Sequence, residues 1–194
     1  MKERFLEIWY KHISREGSDA LLSWMCRTDF FEAPASSRFH NSYDGGLCDH
    51  SVNVFERAKQ LSDALLPPEK RPSDESIAVA SLCHDLCKIN MYVPDVRQQR
   101  VGRSGIAEYQ RFYTIRDSFP YGHGEKSVYL ASKYMKLTTD EALAIRWHMG
   151  FGDADFIAGN KTVSAAFERC PLAVILHLAD TAASYLDETR GVTQ

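Results

Sequence analysis

Six side chains carry the chemistry of this sequence: His50, His84, Asp85, His123, His148 and Asp180. Imidazole nitrogens and carboxylate oxygens together suit Mn, Fe, Co, Ni or Zn, whereas Ca and Mg favour all-oxygen sets. A single histidine on an apolar helix face is ordinarily a hydrogen-bonded core residue. Several imidazoles and carboxylates aimed at one core are costly to bury unless they pair or bind a cation. The expected cofactor is therefore a divalent transition metal, as one ion or two. A metal ion held there can bring the pKa of water toward about 7 and stabilise charge on a leaving oxygen, as hydrolysis of a phosphoester would need.

Other residues are candidates for handling the substrate. Lys88 lies one turn beyond His84 and projects from the same side, so with Asp85 it is read as catalytic, neutralising a phosphate oxygen; the alternative is a solvated lysine at a helix end. Lys126 follows His123 by three residues and has the same two readings. The irregular segment 91–121 carries Arg97, Arg100, Arg103, Arg111 and Arg116. Arginine grips phosphate bidentately and tyrosine stacks on bases, so Arg111 and Tyr113 join Lys88 and Lys126 as substrate-binding candidates, against an ordinary solvated hairpin. Glu125 is either a histidine orienter or a surface residue, and His177 either orients Asp180 or packs. His40 precedes the first candidate ligand in a loop, and His12 belongs to an amphipathic first helix; neither joins the ligand set.

These residues must be positioned by helices, whose periodicity dominates the chain. His50, Val54, Ala58, Leu61 and Leu65 share one face of a helix beginning at Gly46. Ser73 caps a second helix that runs to His84. Neighbours on a helix diverge by about 100°, so His84 and Asp85 can converge only at its end. Thr138 with Glu141 reads as a capping box for a helix over 140–149, with His148 in its last turn. Pro171 suits the first position of a final helix to about Asp187, on which Asp180 faces the core. Alternation at Tyr109, Arg111, Tyr113 and Ile115 indicates a short β-hairpin around 91–118, closed near Gly102 to Gly105. Helices at about 1–30 precede a metal-binding core at about 40–187, and the 194 residues are read as one domain.

Composition narrows the function classes. With 44% hydrophobic and 25% charged residues and a net charge of −3, the chain has material for a core and no global positive field for coating nucleic acid. Charges in Met1 to Glu7 interrupt what a signal peptide would need, and no stretch approaches the roughly 20 apolar residues of a membrane span, so a cytoplasmic protein is expected. The five cysteines are expected to be reduced. Cys83 and Cys87 lack a second pair at zinc-finger spacing and are read as small buried helix residues.

The local wording adds a resemblance. Gly45-Gly46-Leu47-Cys48-Asp49-His50-Ser51, His84-Asp85-Leu86-Cys87-Lys88, Gly122-His123-Gly124-Glu125-Lys126-Ser127, Arg146-Trp147-His148 and Leu178-Ala179-Asp180 follow in order. The series resembles the HD-domain superfamily of metal-dependent phosphohydrolases over about residues 40–187. The resemblance implies a compact all-α bundle in which His50, His84, Asp85 and Asp180 hold one ion. His123 and His148 would then reach a second ion that shares Asp85. It also implies hydrolysis of a small phosphorylated substrate such as a nucleotide; the alternatives are a regulatory module that binds metal and nucleotide without turnover, and a structural helical domain. Cys87 stands where many relatives have glycine. Trp147-His148 replaces the adjacent histidines of the cyclic-dinucleotide branch, whose Gly-Tyr-Pro signature is absent, so that substrate is not expected.

Overall fold

The structure, a computed structural model, describes residues 1–101 and 106–188, with backbone alone over 97–101 and 106–111. The helices are α1 (Lys2–His12), α2 (Ser18–Met25), α3 (Gly46–Leu65), α4 (Asp74–Cys83), α5 (His123–Ser132), α6 (Thr139–Trp147), α7 (Ala154–Ile157), α8 (Thr162–Arg169) and α9 (Pro171–Ala182). A tight 3-10 turn, Leu86–Lys88, follows α4, and a wider π-type turn, Ala183–Asp187, follows α9. Between α4 and α5, β1 (Tyr92–Val101) pairs antiparallel with β2 (Ile106–Ile115), from Tyr92 opposite Ile115 to Val101 opposite Ile106. The turn expected at 102–105 lies outside the described residues.

Helix α4 sits at the centre. Every residue from Ile77 to Cys83 is buried, as expected of a helix enclosed on all sides. It packs against α1, α3, α5, α6 and α9. Ser73 caps it by accepting from the Ser76 amide at 3.1 Å. The capping box of α6 forms in both directions, with Thr138 Oγ1 accepting from the Glu141 amide and a Glu141 carboxylate oxygen accepting from the Thr138 amide. Glu141 is fully buried and also accepts two bonds from Arg15, at 2.6 and 2.8 Å, and one from Ser76. One carboxylate thus ties together the chain before α2, the start of α4 and the start of α6. Phe5, Trp9, Phe30 and Phe31 form an aromatic cluster at the N-terminal end of the core.

Two sequence expectations are adjusted. The buried stripe of α3 holds from His50 through Ala58, but Leu65 is 56% exposed in the final turn, where the chain leaves toward Pro67. The last helix keeps α-geometry only to Ala182, and the π-type turn then re-aims the residues that follow. Among the described residues, no single helix is long and apolar enough to cross a membrane.

Candidate metal centre

The six residues come from five places in the chain and meet in one cluster. His50 lies one turn into α3, and Asp180 lies near the end of α9, which packs along α3. His84 ends α4 in helical conformation, while Asp85 leaves it at φ −109°, ψ 21°, so the two neighbours converge as their position at a helix end requires. His123 opens α5 and His148 ends α6. Gly124 lets these two helices meet, because a Cβ there would lie 2.2 Å from the Arg146 carbonyl oxygen.

Outer hydrogen bonds fix how the rings present their nitrogens. Nδ1 of His84 donates to the Ser81 carbonyl at 2.8 Å, and Nδ1 of His148 donates to the Ile145 carbonyl at 2.7 Å. Nδ1 of His50 donates to Glu188 Oε1 at 2.9 Å. Carbonyls and carboxylates only accept, so in the neutral rings each Nε2 carries a lone pair, and each points inward. His50 Nε2 then faces His84 Nε2 at 3.1 Å, acceptor against acceptor, with Asp180 Oδ1 3.2 Å from His50. Such a gap requires a positive charge, either a proton on His50 or a metal ion. Ligands sharing one tetrahedral ion at usual bond lengths are separated by about 3.3 Å, close to these spacings.

Asp85 divides its two oxygens. Oδ2 lies 3.4 Å from His84 Nε2 and 3.6 Å from His50 Nε2, while Oδ1 lies 3.1 Å from His123 Nε2 and 3.7 Å from His148 Nε2. Lys88 Nζ is 2.6 Å from Oδ2. Burial alone would raise Asp85, but Lys88 and the surrounding histidines hold its carboxyl well below the usual carboxylate range. Burial opposes charge on His50, yet its bonds to Asp180 and Glu188 push it up to about 9. Burial is also outweighed at His123, where Cys87 and Asp85 push the ring up to about 10. Burial and the neighbouring His84 and His123 press His148 down to about 3, so it stays neutral.

The substrate candidates are placed differently from one another. Lys88 is buried within the cluster. Lys126 is held by Asp117 at 2.6 Å and lies over the Phe119 ring. Tyr113 is buried and donates its hydroxyl to Asp44 at 2.5 Å. The Arg111 side chain lies outside the described residues, as do those of Arg97, Arg100 and Arg103. Glu125 pairs with Arg146 at 2.5 Å, and His177 Nδ1 donates to the His148 carbonyl at 2.8 Å. A cavity of about 280 Å³ opens beside His123, lined by Gly122, Glu125, Met149 and Asp153 among others.

Three neighbours escape the sequence reading. Glu188 accepts from His50, from His40 Nδ1 at 2.6 Å and from Asn53 at 3.1 Å, and its side chain is fully buried. Helical periodicity carries no signal for it, since the π-type turn intervenes. His40 stands out only as a histidine in the preceding loop. Cys87 occupies the 3-10 turn rather than a helix, with Sγ 3.3 Å from His123 Nδ1.

A family model described as HD domain matches residues 47–184, more than half of the chain. Comparison with curated proteins and with solved structures finds no match.

Proposed function

Because the chain belongs to the HD domain family, a family of metal-dependent phosphohydrolases, we propose that it hydrolyses a phosphoester of a small molecule such as a nucleotide. The observation that carries this reading is the pair of inward Nε2 lone pairs on His50 and His84, held in place by the outer bonds to Nδ1. His50, His84, Asp85 and Asp180 would hold one ion, and His123 and His148 a second, with Asp85 shared through its two oxygens. A bound divalent ion supplies the Lewis acidity that makes water a nucleophile toward phosphorus near neutral pH.

The chain's own groups do the rest. Asp85 divides its charge between the two halves of the cluster. Lys88, paired with Oδ2 of Asp85, sits where a cation entering the cluster would compete for that oxygen, leaving Nζ to bind a non-bridging phosphate oxygen. Burial of His50, His84 and His148 keeps bulk water from their side of the cluster and strengthens the interactions there. The cavity beside His123, of about 280 Å³, has room for a small phosphorylated group. Tyr121, two residues before His123 and half exposed, stacks with Phe119 and presents an aromatic surface that suits a base.

Elemental analysis of the purified chain, joined to a metal-by-substrate screen over phosphomonoesters, phosphodiesters and nucleoside triphosphates, tests the proposal. Stoichiometric transition metal with hydrolysis is expected, and Asp85→Ala should lose both. Metal-replete protein that binds nucleotide and leaves it intact would instead assign a regulatory role.

A further inference from the structure

We propose that Cys87 is a metal ligand, forming with Asp85 and His123 a mixed sulfur, nitrogen and oxygen half of the centre that favours a thiophilic divalent cation such as zinc, cobalt or cadmium. The inference rests on the reading of the His and Asp cluster as a metal site. Cys87 is buried at the middle of the 3-10 turn, whose geometry is fixed when its amide donates to Ser127 Oγ in α5 at 3.0 Å. This places Sγ within 3.3 Å of His123 Nδ1 and 3.8 Å of the shared carboxylate. Sγ lies 3.9 Å from His123 Nε2 and 3.8 Å from Asp85 Oδ1, and those two atoms are 3.1 Å apart.

The three atoms lie close enough to be drawn onto one ion once the Cys87 and His123 side chains turn toward it, since Sγ now lies nearer Nδ1 of His123 than Nε2. Ligands at usual zinc distances, longer to sulfur than to nitrogen or oxygen, span edges of about 3.3 to 3.6 Å around a tetrahedral ion. The edge without sulfur, at 3.1 Å, is the short one, and the two with sulfur, at 3.8 and 3.9 Å, are wider than a bound ion would set, so the site closes on ligation. His148 gives an independent sign. It is buried, its ring proton is committed to the Ile145 carbonyl, and its Nε2 lone pair faces the same Oδ1 at 3.7 Å, which adds a nitrogen donor on this side of Asp85. The other half of the cluster has only nitrogen and oxygen donors, so the two halves differ in softness. On ligation the sulfur donates an electron pair to the ion and the thiol proton passes to the buffer, with no change of oxidation state.

Cobalt(II) titration of the full chain reads this directly, because a cobalt–thiolate bond adds a near-ultraviolet charge-transfer band. The wild-type protein should show the band. Cys87→Ser and Cys87→Ala should lose it while keeping bound cobalt, and Cys26→Ser, at the exposed cysteine, should retain it. Cadmium affinity of the softer half should fall about a hundredfold or more in Cys87→Ser, at or above the upper range for a lost outer hydrogen bond. Stoichiometric cobalt without the band, or a band that survives both Cys87 variants, overturns the thiolate ligand while leaving the His and Asp site standing. A wild-type chain that binds no cobalt overturns both. Cadmium-113 resonance of the wild-type protein, which moves downfield with thiolate ligation, gives the same decision should the variants fail to fold.

Discussion

Protons and metal ions compete for the same lone pairs at His50 and His123. In the metal-free protein His50 is raised to about 9, so its contribution to stability is complete below the unfolded value near 6.5 and is lost as pH rises through about 9. Metal binding has the opposite slope, since the imidazoles must be neutral. Chelator competition from pH 6 to 9 should therefore show metal affinity rising throughout; a flat profile would remove His50 and His123 from the ligand set. Lys88 makes a separate case. Lys88→Met removes the cation beside Asp85, so metal affinity should hold or increase, while kcat for a phosphoester should fall about 10²- to 10³-fold. The metal-free variant should also be less stable, by about 3 kcal/mol or more, because a buried carboxylate loses its partner. A parallel fall in metal affinity would mean that Lys88 only shapes the site.

Elements place these residues through their ends, and helix ends are where sequence is most readable. Ser73, Thr138 with Glu141, and Pro171 each mark a start that the structure contains, and His84 and His148 close the helices that the first two begin. Glu141 does more than cap. Glu141→Ala should cost about 3 kcal/mol or more, because it leaves Arg15 without its buried partner, while metal stoichiometry per folded chain should stay unchanged. Denaturant unfolding with elemental analysis would check both; a loss well under 1 kcal/mol would make the network incidental. Glu188 and Cys87 were not legible for local reasons. The first follows a π-type turn that breaks the helical period, and the second sits in a 3-10 turn that a helical reading continues straight through. His40 reaches the cluster through Glu188 and by packing its ring against that of His50, contacts no spacing encodes.

At the scale of the molecule, helices from across the chain converge on the cluster, so metal binding should act on the whole fold. An ion that binds the folded chain alone stabilises it by about 2.7 kcal/mol at a hundred times its Kd. Thermal unfolding should accordingly shift upward with added zinc, cobalt or manganese and return with chelator; an unchanged Tm at saturating metal would indicate a surface site. The contact of Gly124 with the Arg146 carbonyl has a further consequence. It sets the spacing of the two imidazoles on α5 and α6 by backbone touching backbone, leaving no room for compensation by a side chain. Descendants of this chain that keep both imidazoles are bound to keep glycine there, whereas a lineage that discards one of them is released to drift at that position.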